Sequence, residues 1–157
     1  DIIAFGKKSH VCGLLAGSRV EEVENHVFAE SSRINSTFGG NLTDMVRFQI
    51  VLEIIEKENL LNHTREMGEF LLTELQNLAE EFPAYVTNPR GLGLFAAFDL
   101  PSQTERDNVI AKLMENKLLI LPSGDQAIRF RPHLNVTQAE LSTSLDIINT
   151  TIKSTFN

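Results

Sequence analysis

The chain has 157 residues, of which 42% are hydrophobic, a formal net charge of −7 and a single cysteine. That hydrophobic share belongs to a globular protein, and the negative balance argues against nucleic acid or an anionic membrane as a main partner. No apolar stretch approaches the roughly 18–20 residues of a membrane span, and one cysteine excludes an internal disulfide framework and suits a reducing, cytoplasmic compartment.

The chain opens inside an element. Ile2 to Phe5 reads as a buried strand that stops at Gly6 and delivers Lys7 and Lys8 at its end, so the sequence looks like the back part of a longer protein. Val11 to Leu15 is a second apolar run, bracketed as a strand by Gly13 and Gly17. Val20 to His26 is polar and acidic and suits a turn or short helix. Phe28 to Gly40 lacks periodicity and is rich in Ser, Asn and Gly, which predicts a loop. Leu42, Met45, Val46, Gln49, Leu52 and Ile55 then recur at helical spacing. After a break near Glu58 to Leu61, Met67, Phe70, Leu71, Leu75, Leu78 and Phe82 continue it, until Pro83 stops the helix.

The remainder predicts a small α/β unit. Tyr85 to Thr87 and Leu94 to Asp99 read as strands around a turn at Asn88 to Gly93. Ser102 with Glu105 is a capping box, followed by the apolar stripe Val109, Ile110, Leu113 and Met114. Leu118 to Leu121 is a strand that Pro122 to Asp125 stops, and Ala127 to Arg131 is another, stopped by Pro132. Thr137 with Glu140 is a second capping box, before a helix with Leu141, Leu145, Ile148 and Ile152 on one face. Interleaved strands and helices predict a mixed sheet covered by helices. There are no repeats, and the Asn-x-Ser/Thr sequons at Asn35, Asn41, Asn62, Asn135 and Asn149 read as chance occurrences.

Three segments could carry chemistry. Lys7 comes first, because a neutral lysine amine attacks a carbonyl. The plain alternative is a surface lysine after a strand. Gly6-Lys7-Lys8-Ser9 also imitates the end of a phosphate-binding P-loop, but the first glycine of that motif has no place before it. The second segment, Asn35 to Asn41, offers hydroxyls, amides and two glycines before a long helix. It reads either as a phosphate site at a helix N-terminus or as an ordinary leading loop capped by Asn41 or Thr43. The third is Ile128-Arg129-Phe130-Arg131-Pro132. Alternate strand residues share a face, so Arg129 and Arg131 point the same way, as a carboxylate clamp or as exposed edge arginines. The four histidines show no metal-ligand spacing, so no metal is expected, and Cys12 near His10 is too isolated to read as a nucleophile pair.

Five motifs stand in a fixed order: Asp1-Ile2-Ile3-Ala4-Phe5-Gly6-Lys7-Lys8, Val11-Cys12-Gly13, Arg33-Ile34-Asn35-Ser36-Thr37-Phe38-Gly39-Gly40-Asn41, Asn88-Pro89-Arg90-Gly91-Leu92-Gly93-Leu94 and Ile128-Arg129-Phe130-Arg131-Pro132. In that order they resemble the C-terminal part of the class III (ω-amino acid) pyridoxal-phosphate aminotransferases, over essentially the whole chain. Cys12-Gly13 points to the members that act on the ε-amine of L-lysine. His133 stands where a second proline is usual, and Phe38 where a tryptophan is common; both leave the reaction class intact.

The resemblance implies an α/β fold, the C-terminal portion of a fold type I pyridoxal-phosphate transferase. Residues 1–40 would end the large domain, 41–82 would form bridging helices, and 83–157 would form a small C-terminal domain. It implies that Lys7 forms the Schiff base with pyridoxal phosphate and moves the proton, with Lys8 beside it as the second lysine of the motif. Thr37 would reach the cofactor phosphate of a neighbouring subunit, so the complete enzyme would be a homodimer. Asn35 would stand near the partner's active site, and Arg129 would bind the substrate α-carboxylate. The substrates would be L-lysine and 2-oxoglutarate, with glutamate formed. The cofactor's Gly-Ser turn, its stacking aromatic and its aspartate partner belong upstream of the lysine in that family, so this chain alone is expected neither to hold the cofactor well nor to turn over. The alternatives are an enzyme for ornithine, acetylornithine or γ-aminobutyrate, an aminomutase on the same fold, and a non-catalytic oligomerisation or binding module.

Overall fold

A computed structural model of the chain describes residues 1–9, 11–34, 37 and 39–156, without the side chain of Lys8. The chain divides into two compact units, Asp1–Glu58 and Asn59–Asn157.

The first unit holds two short strands, β1 (Ile2–Phe5) and β2 (Gly13–Ala16), and one long helix, α1 (Leu42–Lys57). β1 and β2 pair antiparallel with Ile2 opposite Ala16 and Phe5 opposite Gly13. The strand expected to be buried is exposed, with Ile2 at 53% and Ile3 at 62%, because no layer of this unit covers the ribbon. Val20 to Glu22 belongs to a 3-10 turn at Ser18–Glu22, as the polar stretch predicts. The leading loop before α1 ends in Gly40 at φ 74°, a left-handed conformation that favours glycine. Asn41 caps the helix, its side-chain oxygen accepting from the Thr43 and Asp44 amides at 3.0 and 3.4 Å.

The second unit builds a four-stranded antiparallel sheet in the order β3-β4-β6-β5, from β3 (Thr87–Leu92), β4 (Phe95–Asp99), β5 (Leu121–Ser123) and β6 (Ala127–Phe130). Three helices join it: α2 (Leu60–Glu81), α3 (Gln103–Glu115) and α4 (Gln138–Phe156). α2 packs on β3 and β4, α3 on β5 and β6, and α4 against both helices. Strand alternation directs Ala96, Phe98, Ile128 and Phe130 into the core, where they meet Leu71, Leu75 and Leu78 of α2, Val109 and Leu113 of α3, and Leu141, Leu145, Ile148 and Ile152 of α4. The apolar stripes of the sequence thus become one cluster. At about 25 cal/mol per Å² of apolar surface removed from water, such burial is the main term holding the unit together.

Both helix caps form, the box at Thr137 reciprocally and the one at Ser102 through its hydroxyl alone. The Ser102 hydroxyl accepts from the Glu105 amide at 3.2 Å, and the Thr137 hydroxyl accepts from the Glu140 amide at 3.2 Å while the Glu140 carboxylate takes the Thr137 amide at 2.7 Å. The sheet is antiparallel where a mixed one was expected, and most strand boundaries differ from the expectation: β2 is Gly13–Ala16 and not Val11–Leu15, β4 begins at Phe95 and not Leu94, and residues 118–120 of the expected Leu118–Leu121 strand are not strand. The turn expected at Asn88 to Gly93 is mostly strand, since β3 carries a bulge between Thr87 and Arg90 and the chain reverses only at Gly93, φ 54°. β5 contains Pro122 instead of ending before it, because β5 is the edge strand and needs no amide on its outer side. β6 ends at Phe130, one residue short. The Gly93 turn reaches α2 through Gly68: a Cβ there would fall 2.5 Å from the Gly93 carbonyl carbon, so only glycine admits the contact.

Candidate functional site

Lys7 follows β1 in a 3-10 turn, Lys7–Ser9, which bridges β1 and β2 together with the residues up to Cys12. Its backbone lies at φ 58°, a left-handed conformation that costs a non-glycine residue about 1 kcal/mol and is enriched at functional sites. Its side chain is exposed. The turn is fixed from both sides. The Ser9 hydroxyl donates to the Val11 carbonyl at 2.7 Å, and a Cβ on Gly6 would stand 3.0 Å from Cys12 Sγ. Phe5 lies across Gly13, where a Cβ would sit 2.4 Å from its ring, and stacks on Phe48 of α1 at 5.9 Å. An apolar cleft of about 430 Å³ opens beside them, lined by Phe5, Val11, Met45, Phe48 and Leu52.

Thr37 is exposed, on the same unit as Lys7. Asn35 lies outside the described residues. Of the two readings of the leading loop, the structure decides one part: the α1 N-terminus is already occupied. Asn41 takes the Thr43 and Asp44 amides, and Asp44 puts a carboxylate in the first turn, which opposes an anion there. One residue of the motif acquires a task the sequence did not suggest. Arg33 donates to the Asn25 and His26 carbonyls at 2.9 and 3.2 Å and pairs with Glu30 at 2.9 Å, tying down the loop that leads to Thr37. A lone arginine in a Ser- and Asn-rich loop was its only signal.

Arg129 belongs to the second unit, on β6, with Ala97 of β4 on one side and Leu121 of β5 on the other. It is half-buried, and its Nε is buried with no hydrogen-bond partner among the described residues. A cleft of about 270 Å³ adjoins, lined by Leu121, Arg129, Phe130, Pro132, Val136 and Leu141. Arg131 does not share the strand with Arg129. It follows the end of β6 and is exposed, and it lines the same cleft as Arg129. The sequence also missed a polar cluster between β3 and β4: Asp99 accepts from Arg90 Nη1 at 2.8 Å and from Asn88 Nδ2 at 2.9 Å. The residues expected to act are thus divided, Lys7 and Thr37 on the first unit and Arg129 on the second.

The described residues thus include a lysine after β1, a threonine hydroxyl in the loop before α1 and a half-buried arginine on β6. The aminotransferase class III family model matches residues 1–152. The chain belongs to the class III aminotransferase family. It is 47% identical to the L-lysine-epsilon aminotransferase of Mycobacterium tuberculosis over 97% of this chain and 34% of that protein. The solved lysine aminotransferase of M. tuberculosis, in the internal aldimine form, superposes with a TM-score of 0.94 at 46% identity, over 99% of this chain and 36% of that one. An acetylornithine aminotransferase of a Nostoc species is 36% identical over 72% of this chain and 27% of that protein. The chain therefore spans about a third of the length of these relatives. Its fold is the expected one, the α/β C-terminal portion of a pyridoxal-phosphate transferase. No helix among the described residues is long and apolar enough to cross a membrane.

Proposed function

We infer that the protein to which these residues belong moves the ε-amino group of L-lysine to 2-oxoglutarate, with pyridoxal phosphate as cofactor. The observation that carries this reading is the gradient of similarity, 47% to a relative named for lysine over nearly the whole chain against 36% over less of it to one named for acetylornithine. The residues fit the cofactor chemically. Lys7 presents an exposed primary amine and Thr37 an exposed hydroxyl, and Arg129 offers a guanidinium for a substrate carboxylate. When bound, the cofactor supplies the electron sink for the substrate carbon.

The chain's own residues would then do three things. Lys7 Nζ attaches the cofactor covalently and, once displaced by the substrate amine, carries a proton between substrate and cofactor carbons. Thr37 Oγ1 donates to the phosphate, and Asn35 contributes a polar contact near the partner's site in a homodimer. Arg129 holds the α-carboxylate, so that the ε-amine of lysine, at the far end of the substrate, is the amine that reacts. The same guanidinium would hold one carboxylate of 2-oxoglutarate. In this reading residues 1–40 complete the cofactor-binding domain, 41–82 bridge, and 83–157 form the small domain.

Amine-donor screening of the full-length protein with 2-oxoglutarate tests the substrate. Turnover of L-lysine with glutamate formed is expected; turnover of ornithine, acetylornithine or γ-aminobutyrate without lysine would replace the lysine reading. Borohydride reduction of the full-length holoenzyme, followed by peptide mapping, is expected to label Lys7. Label elsewhere, with none on Lys7, overturns its role.

A further inference from the structure

One wall of the cleft beside Arg129 is the connection from β6 to α4. Arg131, Pro132 and Val136 of that connection line the cleft together with Arg129 itself. Residues 131–137 belong to neither a helix nor a strand, so no ladder of backbone bonds holds them. Other contacts do. The Val136 amide donates to the His133 carbonyl at 3.2 Å and closes a turn. The Thr137 capping box fixes the chain where α4 begins. A further contact comes from the first turn of α2: His63 Nε2 meets the Val136 carbonyl at 2.7 Å, across 73 residues of sequence.

That last contact differs in kind from the others. The turn and the cap join neighbours in the chain and move with the segment, whereas His63 ties the segment to another element. A carbonyl oxygen only accepts, so Nε2 carries the proton and donates, in the neutral ring as in the charged one. The Val136 side chain is 4% exposed and packs in the core cluster, which draws its peptide inward and makes the loss of a donor costly. His63 is half-buried and stands on a fixed base. Leu60, three residues before it, is buried, the His63 amide donates to the Asn59 carbonyl at 3.2 Å, and Asn62 Nδ2 donates to Asn59 Oδ1 at 3.0 Å. A displacement of the Val136 carbonyl moves a residue that lines the cleft.

We propose that His63 is a positioning residue: through the Val136 carbonyl it holds residues 132–136 as the wall of the Arg129 cleft, and so sets how closely that wall meets a substrate whose carboxylate Arg129 binds. The proposal rests on the reading of Arg129 as the carboxylate site. A wall ordered before the substrate arrives removes an ordering cost from binding, so the effect falls on KM and leaves the chemical step alone.

Steady-state kinetics of the full-length enzyme with L-lysine and 2-oxoglutarate test this, together with hydrogen–deuterium exchange in residues 131–136. His63→Phe keeps a ring and removes the donor. It is expected to raise KM for both substrates about threefold with kcat nearly unchanged, within the range that one hydrogen bond is worth. Exchange in residues 131–136 is expected to quicken in the same variant. His63→Gln, which keeps a side-chain N–H of similar reach, is expected to hold KM and exchange near the values of the unmodified enzyme. A purely structural role would lower the melting temperature and leave KM unmoved. If His63→Phe does not fold, His63→Asn, whose amide falls short of the carbonyl, is expected to give the same rise. Unchanged KM in the folded variant without a donor, or an equal rise in His63→Gln, overturns the proposal. Arg129→Gln separates the two levels: if it leaves both KM values unchanged, the carboxylate reading falls and this proposal with it; if it raises them while His63→Phe does not, only the proposal falls.

Discussion

The two units spend similar hydrophobic material in opposite ways. Among the described residues none before Leu60 is buried, although Ile2, Ile3, Leu14, Leu15, Leu42, Met45, Val46, Ile50, Leu52 and Ile54 all lie there, each at least 42% exposed. In the second unit the same residue types form a single cluster in which Leu71, Leu75, Phe98, Leu113, Ile128, Ile148 and Ile152 are fully buried. α1 is apolar around much of its circumference, the pattern of a helix made to be covered on more than one side, whereas α2 has one apolar stripe and one polar face. The second unit is therefore a finished layer structure, and the first is a set of well-formed local pieces whose apolar faces are left uncovered by the residues of this chain, which spans about a third of its relatives' length.

The strongest test of that contrast is a pair of truncations in the 157-residue chain. Leu75→Ala is expected to cost about 3 kcal/mol, by the combined loss of transfer energy and the cavity left behind. Ile50→Ala, at an exposed position, is expected to stay within about 0.5 kcal/mol. Chemical denaturation reads both, and an equal loss at Ile50 would break the comparison.

Two glycines sharpen it next. Gly68→Ala is expected to cost about 2 kcal/mol, since its Cβ meets Gly93 backbone that cannot yield without moving the turn. Gly13→Ala meets the far end of the Phe5 ring, which can swing outward, and less than about 1 kcal/mol is expected. Thermal melts of the two variants should differ accordingly; similar losses would mean that the ribbon of the first unit is as rigidly held as the core.

Caps are local and should matter in both units. Thr137→Ala and Asn41→Ala are each expected to cost about 1 kcal/mol of helix stability. In α4 this should lower the melting temperature of the whole second unit. In α1 it should appear mainly as lost helicity in far-ultraviolet circular dichroism. A fall in the second unit's melting temperature with Asn41→Ala would show that the units unfold together.

Acid adds a titration to the second unit. Lys153 and then Asn149 hold the Glu81 carboxyl below its ordinary value of 4.5, and the Thr137 amide and hydroxyl do the same for Glu140. Because both folded values are depressed, their contribution is fully present above about pH 4.5 and is lost as pH falls through the lower folded values. Glu81→Gln and Glu140→Gln should flatten the acid limb of a stability–pH curve; an unchanged limb in both variants would contradict the sign. The smallest effect is a gain. Lys117 sits at φ 67° after α3, where the Leu118 amide reaches the Leu113 carbonyl at 2.9 Å and the Lys117 amide reaches Met114 at 3.0 Å. Lys117→Gly is expected to stabilise the second unit by about 0.5–1 kcal/mol, measured by urea denaturation.

Much of the architecture was legible from local signals. The helices, the break before Leu60, the stop at Pro83 and both capping boxes rest on periodicity and on bonds between residues three or four apart, which a linear sequence displays directly. The strand edges were less legible. Pro122 looked like a terminator because its edge position is a property of strand order, and Asn88 to Gly91 looked like a turn because a bulge and a turn use the same residues. Of the candidate site, Lys7, Thr37 and Arg129 stood out through their motifs. Asn88 and Arg90 also stood in a motif, but their shared contact with Asp99 did not show, because nothing in the spacing announces that β3 lies beside β4.

The sequence by itself determined which residues can do chemistry and which segments become helices, since both are written in residue type and short-range pattern. Tertiary structure alone decided which of those groups meet. Strand order and one bulge bring Arg90 and Asn88 of β3 onto Asp99 of β4. Hydrogen bonds between strands distant in sequence are fixed by sheet topology, and no local pattern encodes them.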